Sequence, residues 1–293
     1  MKKKKKKLKW LRIDLLLVLI LLIGLGIVIY PAFSDYWNSF HQSRAIISYA
    51  ESVAAINTED YEKIWEEALE YNRKLSGKSN QWAIETEEED EYNKCLNVSG
   101  TGNMGFITIP RIDVSLPLYH GTEDTVLQTA IGHFVGTSLP VGSIHDEENF
   151  NKVEFASHCV LSGHRGLPSA KLFSDLDKMK IGDKFSFTVL DQTLTYEVDA
   201  INVVEPEDVK LIGIEPDQDL VTLVTCTPYG INTHRLLVRG HRVENEKTGL
   251  NIRITADAIR IDSIYTAPFL AVPILALMAL WVMTISTGRR RRW

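Results

Sequence analysis

Cysteine is scarce in this chain of 293 residues, which has only Cys95, Cys159 and Cys226. Three widely spaced cysteines are too few for a disulfide framework or a zinc cluster. The odd number leaves at least one thiol unpaired. Outside the cell such a thiol can be oxidised, so its presence points to a thiol that performs a reaction. The shortage therefore excludes a disulfide-stapled fold and draws attention to a catalytic cysteine.

Other patterns are missing as well. The sequence has no glycine-rich phosphate loop and no internal repeat, so nucleotide chemistry and solenoid folds are not expected. The acidic run from Glu85 to Glu91 lacks the spaced ligands and the glycine of a calcium loop, and a solvated charge run is the better interpretation. We therefore predict no metal site and no cofactor.

Long apolar runs, in contrast, are present near both ends. A basic tail, residues 1–12, precedes an apolar segment over 13–31 that is longer than a signal-peptide core and is followed by no cleavage pattern. A second uncharged segment, 264–287, leads into a basic tail over 288–293. Each segment is about long enough to cross a bilayer, which needs roughly 20 apolar residues. The sequence predicts two transmembrane helices.

The charges predict the orientation of these spans. Excess Lys and Arg stays on the cytoplasmic side, which places both ends inside and residues 33–263 outside. Twelve of the 32 Lys and Arg lie in the two tails, and all acidic residues except Asp14 lie between the spans, so the external part carries 20 − 37 = −17. Such an acidic domain argues against nucleic-acid binding and favours a basic partner or simple solubility.

The first part of the external region is helical in pattern. Apolar residues recur at helical spacing within 32–75, which predicts N-terminal helices packed on the domain. The next segment, 76–92, is polar and acidic and predicts a loop. Trp82 and Ile84 stand alone within it, and an apolar pair in a solvated loop is expected to cover something.

Residues 93–263 change to short β-prone runs separated by turns, a spacing that predicts a mainly β domain built as a small barrel or sandwich. Two short helical insertions are expected between the strands, over 124–130 and 169–178.

The segment 218–242 predicts two strands and a turn that carries chemistry. Leu220–Thr225 and Leu236–Val243 are β-prone, and Pro228-Tyr229-Gly230 between them is turn vocabulary. If the strands pair antiparallel, Cys226 and Arg235 face each other. A guanidinium charge beside a thiol favours the thiolate, which is the nucleophilic form.

A base for this thiol is expected among eight histidines. His164 follows an apolar strand and is flanked by glycines that let backbone and ligand approach closely, so it is the best-placed candidate. His158 lies six residues earlier on the same strand face, where it could support the site or belong to the core. His234 is a rival, but strand alternation points it away from the side chain of Arg235.

These residues together resemble the sortase family. The run Thr222-Leu223-Val224-Thr225-Cys226, with Arg235 nine residues later and a Gly-His-Arg-Gly stretch before it, is similar to the family signature. SGHRGLPSAKLFSDLDKMKIGD, TLVTCTPYGINTHRLLVRGHR and the trailing apolar segment resemble class C, the pilin-polymerising sortases. The resemblance runs in stretches from about Tyr30 to the C-terminal span.

The resemblance implies an eight-stranded sortase β-barrel with N-terminal helices and flanking transmembrane helices. It implies that Cys226 is the nucleophile, that His164 is the general acid/base and that Arg235 stabilises the oxyanion or the substrate. It also implies that Thr225 and Leu223, next to the nucleophile, bind substrate.

A lid over the cysteine is implied too. Class C sortases carry an Asp-Pro-aromatic motif on a flexible loop, and the corresponding stretch here is Asn80-Gln81-Trp82. It retains the aromatic residue but lacks the acid and the proline. The segment 76–92 is accordingly expected to be the lid loop.

The implied activity is cleavage of an LPXTG-like motif between Thr and Gly, followed by transfer to a pilin lysine at the membrane of a Gram-positive cell. The expected partners are pilin precursors, with lipid II or peptidoglycan as other acceptors. A housekeeping sortase that anchors proteins to peptidoglycan, a hydrolase that uses water, and a membrane-tethered binding module with a buried structural thiol remain alternatives.

Overall fold

The computed structural model describes residues 2–245. The second predicted span, 264–287, and the tail 288–293 lie outside the described residues. Within the described range the α-helices are α1 (Lys2–Ala54), α2 (Thr58–Ser76), α3 (Thr86–Lys94) and α4 (Asp124–Leu127). The strands are β1 (Asn103–Ile109), β2 (Val114–His120), β3 (Ile131–His133), β4 (Ser157–Ser162), β5 (Lys184–Val189), β6 (Gln192–Val204), β7 (Asp219–Thr227) and β8 (His234–Val243).

The strands form a closed eight-stranded barrel in the order β1-β2-β3-β4-β7-β8-β6-β5, and β5 pairs back onto β1. The pairs β2–β3 and β4–β7 are parallel, and the others are antiparallel. Closure pairs the strand edges that an open sheet would leave exposed. The predicted mainly β barrel is confirmed.

Alternating side chains explain why these segments fold as strands around one core. In β5 the residues Phe185, Phe187 and Val189 are buried, whereas Lys184, the first residue of the strand, is exposed. Strand residues of one parity therefore fill the barrel, and those of the other parity form its outer face. β3 was not predicted, because a strand of only three residues is too short to show an alternation.

The first helix forms a continuous element that the sequence pattern divided. The described residues of the chain belong to two units, one that holds residues 2–37 and one that holds residues 38–245. α1 runs through Pro31 without a break, so the predicted boundary between 13–31 and 32–75 is no break in secondary structure. Proline removes one backbone hydrogen bond from a helix and need not end it where helical sequence continues on both sides. By length and composition, Leu15–Ala54 is apolar enough to cross a membrane.

The helix predicted over 169–178 is wrong for most of its length. The segment is made of turns and a single 3₁₀ turn, Leu176–Lys178. Leu172 adopts a positive φ of 39°, and the Phe173 N–H donates to the carbonyl of His164 at 3.1 Å instead of to a helical partner. A long-range hydrogen bond to the His164 loop has replaced local helical pairing. The other insertion, 124–130, contains the short helix α4 as predicted.

Two helices pack beside the barrel and frame the predicted lid. α2 buries Asn72, whose amide donates to the carbonyls of Leu139 and Gly142 and whose oxygen accepts from the Leu139 N–H. The lid loop ends earlier than predicted, because α3 begins at Thr86 behind a capping box between Glu85 and Glu88. Only the nine residues 77–85 between α2 and α3 lie outside these helices.

Candidate active site

Strand pairing places the predicted thiol and guanidinium opposite each other. β7 and β8 pair antiparallel, and Cys226 is the register partner of Arg235. Both residues are partly exposed, whereas the strand residues closer to the barrel centre are buried. The predicted hairpin geometry is confirmed.

The loop that follows the neighbouring strand β4 brings His164 alongside Cys226. We call His164, Cys226 and Arg235 the row. In the parallel pair β4–β7 each residue faces the one 62 positions later, as in Ser162 with Val224. The chain keeps this register beyond the strand, since the Gly163 N–H donates to the Val224 carbonyl at 3.0 Å and the Gly163 carbonyl accepts from the Thr225 hydroxyl at 2.7 Å. Continuing this register by one residue places His164 opposite Cys226.

The row lies on the outer face of the barrel. Leu223 is fully buried in the barrel core, and Cys226 has the opposite parity on β7. Thr225 shares the inward parity of Leu223 and uses its hydroxyl to hold Gly163. Both side chains are buried beneath the row, and substrate binding at Leu223 and Thr225 stays a prediction.

The three thiols differ in environment. Cys159 is buried in the core, and burial, reinforced by the charge of Asp219, raises its pKa well above the ordinary value. Burial also raises the pKa of Cys95 to about 11. A core thiol with a raised pKa stays protonated and unreactive at neutral pH. Cys226 alone among the three is partly exposed.

Arg235 is the cation in this row that carries no ion pair. Its Nη1 donates to the carbonyls of His234 and Asn232 at 3.1 and 3.3 Å. No carboxylate within the described residues pairs with it. An unpaired guanidinium beside a thiol retains its charge for an incoming oxygen.

The rival histidines have other roles. His158 is buried, its Nδ1 donates to the Gly213 carbonyl at 2.7 Å, and its Nε2 lies 2.7 Å from the Thr222 hydroxyl. Burial lowers its pKa. His234 lies 3.3 Å from Glu205 at the surface. His158 is thus a core residue that anchors the loop between β6 and β7.

The predicted lid lies against the outer face next to the row. The Trp82 ring meets the Phe134 ring edge-on, with centroids 6.2 Å apart. Both pack on the outer-face cluster, which we define as the buried residues Val160, Ile212 and Leu237 with Val204, Val209 and Val224 beside them. Val224 and Leu237 are two residues from Cys226 and Arg235 on the same strand faces.

Gln81 fastens this segment to the loops on both sides. Its amide nitrogen donates to the Gly136 carbonyl at 3.1 Å, and its amide oxygen accepts from the Ile214 N–H at 2.8 Å. Asn80 closes the turn, since its side-chain oxygen accepts from the Trp82 N–H. A neutral amide thus makes contacts where the class C motif has a proline.

Gly136, against which the lid segment packs, was not identified from the sequence. Gly136 adopts φ +87°, and a Cβ there would lie 3.1 Å from Ile84 and 3.5 Å from the Trp82 ring. Only glycine combines that φ with so close an approach. The positive φ was not visible from one sequence, although Gly136-Thr137-Ser138 is a turn signal after an apolar run.

No group of three His, Cys, Asp or Glu side chains within residues 2–245 is arranged to hold a metal ion.

Comparison with known proteins identifies the family of this chain. The sequence profile described as the sortase domain matches residues 107–243, which include the whole row. The closed eight-stranded barrel and this family match together define a cysteine transpeptidase. The chain belongs to the sortase family.

Solved sortase structures cover most of the chain. Sortase C1 from Streptococcus agalactiae is 49% identical, with a TM-score of 0.64, over 69% of this chain and 100% of that one. A lid mutant of sortase A from Corynebacterium diphtheriae is 39% identical, with a TM-score of 0.57, over 66% and 98% of the two chains. Sortase C from Streptococcus pneumoniae, described together with its pilin substrate specificity, is 38% identical with a TM-score of 0.57 over 69% and 97%.

Proposed function

We propose that this protein is a class C sortase that joins pilin subunits through isopeptide bonds at the surface of a Gram-positive cell. The row of His164, Cys226 and Arg235 on the outer face of the barrel carries the proposal. The similarity to sortase C1 and sortase C supports the class.

In the first half-reaction the Cys226 thiolate attacks the threonine carbonyl of an LPXTG-like motif. The carbonyl oxygen gains negative charge, which the guanidinium of Arg235 stabilises. The C–N bond to glycine breaks as protonated His164 donates its proton to the departing amine. A thioester on Cys226 remains.

In the second half-reaction an acceptor amine attacks the thioester. Neutral His164 takes a proton from this amine, the C–S bond breaks and the thiolate returns. With a pilin lysine as acceptor the product is an isopeptide bond, with a peptidoglycan amine it is a wall-anchored protein, and with water it is a free acid.

Mass spectrometry of the intact protein after incubation with an LPXTG peptide tests the nucleophile. We expect a thioester adduct that maps to Cys226. An adduct on Cys159 or Cys95 would refute the assignment, and no adduct on any cysteine would favour the non-catalytic binding module.

The acceptor is tested in the same reaction with three nucleophiles: a pilin domain with its acceptor lysine, a peptidoglycan stem peptide and water. Joining of the pilin domain faster than of the stem peptide supports pilin polymerisation. Preferential stem-peptide transfer would identify an anchoring sortase, and release of free acid only would identify a hydrolase.

We also propose that the chain is a two-pass membrane protein with the barrel outside. The apolar part of α1 and the basic residues before it support the first span. Protease added to intact cells should cut the barrel and spare tags at both termini. Digestion of a C-terminal tag would contradict the second span.

A further inference from the structure

A second arginine, Arg165, follows the proposed base directly and is almost entirely buried. Its side chain is 8% exposed, and its Nη2 lies 2.6 Å from Asp177. Its Nη1 donates to the Thr227 hydroxyl at 3.3 Å, one residue beyond Cys226. Arg165 thus ties the chain just after His164 to the chain just after the nucleophile.

The turn between β7 and β8 closes over this arginine. The Tyr229 ring centroid lies 5.8 Å from the guanidinium carbon, a cation–π distance. Gly166 adopts φ +77°, and a Cβ there would lie 3.1 Å from the same ring. The absence of a side chain at Gly166 lets Tyr229 pack against the His164 loop, which is a specific use of glycine.

The contacts of the two arginines differ in a way that separates their roles. Arg235 has no carboxylate partner within residues 2–245, so its charge is free for substrate. Arg165 has its charge matched by Asp177 and its face covered by Tyr229. Its Nε is buried without a hydrogen-bond acceptor in the described part of the chain, so the other contacts fix its orientation at the cost of one hydrogen bond.

We propose that Arg165 is a positioning residue, which fixes the distance and orientation of the His164 imidazole relative to the Cys226 thiol. It does so by holding the His164 loop against the end of β7 and the β7–β8 turn. The inference rests on the proposed roles of His164 and Cys226. The other hydrogen bonds given for this loop run from Gly163 to β7, from the Phe173 N–H to the His164 carbonyl and from the Gly166 N–H to Ser174, and none of them reaches Thr227 or the β7–β8 turn. Misplacement of a catalytic group by about 1 Å can cost on the order of 100-fold in rate.

Kinetics of the full chain in detergent, with a fluorogenic LPXTG peptide, test the proposal. Arg165→Met retains the apolar stem but removes the charge and the donors, and we expect kcat to fall by about 10- to 100-fold. KM should stay within about twofold, because a positioning role gives the arginine no contact with the peptide. The pH profile of kcat/KM should also change, since the imidazole would lie in a different place relative to the thiol.

Two surface variants cover the case in which Arg165→Met does not fold. Asp177→Asn removes the ion pair and Tyr229→Leu removes the aromatic cover, and these residues are 47% and 63% exposed. Both should lower kcat without lowering the melting temperature. Asp175→Asn is the matched control, because Asp175 pairs with Lys171 and Lys178 and not with the His164 loop, so its kcat should be unchanged.

Unchanged kcat and pH profile in Asp177→Asn and Tyr229→Leu would overturn the proposal, as would a rise in KM alone. Mapping of the thioester in the same samples separates this failure from failure of the proposed function. An adduct on Cys226 at the wild-type rate in these variants would refute only the positioning role. An adduct on another cysteine would refute the catalytic assignment itself.

Discussion

At the scale of single residues, environment decides which cysteine reacts. Cys159 and Cys226 lie on adjacent strands, but one points into the barrel and the other outward. Burial keeps the Cys159 thiol protonated, and the partly exposed Cys226 faces an unpaired guanidinium.

Cys226→Ala is accordingly expected to abolish peptide cleavage with little effect on stability. Cys159→Ala should retain the cleavage rate and lower the free energy of unfolding by about 1 kcal/mol, since it trims a packed core. Peptide turnover and chemical denaturation of the two variants measure these effects. Loss of activity in Cys159→Ala with the fold intact would contradict the assignment.

The planar fork of Arg235 gives a second expectation. Arg235→Lys should lower kcat/KM, because an ammonium does not reproduce the guanidinium geometry at a developing oxyanion. The expected rise in the activation barrier is about 2.7 to 4 kcal/mol. Arg111→Lys is the control, since Arg111 makes only an exposed pair with Asp183. Full activity of Arg235→Lys would make this arginine structural.

At the scale of elements, the lid segment is short, with neutral contacts at Gln81 and Trp82 and one ion pair at its base. Gln81 joins the loop after β3 to the loop before β7, and Trp82 packs on the outer-face cluster. Lys78 fixes the end of the segment to α3 through Glu88 and to the Ala83 carbonyl. Such a lid is expected to depend little on salt, because its main anchor carries no charge.

Removal of the anchor should open the segment and expose the thiol. Gln81→Ala and Trp82→Ala are each expected to speed the reaction of Cys226 with a small thiosulfonate at neutral pH. Gln128→Ala, at the exposed end of α4, should leave the rate unchanged. Equal rates in all three variants would show that the segment does not limit access to Cys226.

At the scale of the whole molecule, buried histidines link stability to pH. Burial lowers the pKa of His120, His158 and His133, the last to about 4. In the unfolded chain they would bind protons near pH 6.5. Below that pH the unfolded state binds more protons than the folded state. The contribution of these histidines to the free energy of unfolding is therefore fully present above about pH 6.5 and is lost as the pH falls towards 4.

Each histidine that stays neutral should contribute a slope of up to about 1.4 kcal/mol per pH unit in this window. Urea titrations of the barrel at several pH values between 7 and 4.5 measure the sum. His133→Phe should remove one proton from the slope whatever its effect at pH 7. A flat profile in the wild type would contradict the expectation.

Much of the site could be predicted because its spacing is short. Cys226 and Arg235 are nine residues apart on one hairpin, and antiparallel pairing of two β-prone runs is enough to bring them together. The helix predicted over 169–178 failed because a positive φ at Leu172 and a hydrogen bond to His164 outweighed a local pattern. The burial of Leu223 and Thr225 was not foreseen, because residues next to Cys226 in sequence alternate between the two faces of the strand.

The sequence by itself determined the scarcity of thiols, the apolar span, the β texture and the identities of thiol, imidazole and guanidinium. Those features are local, set by composition and by periodicity along the chain. Only the tertiary structure decided which cysteine faces outward, how Gln81 bridges two loops far apart in sequence, and that Arg165 joins the His164 loop to Thr227 and Tyr229. Those contacts depend on barrel closure and on the parallel register of β4 and β7, which bring residues more than sixty positions apart within hydrogen-bond distance.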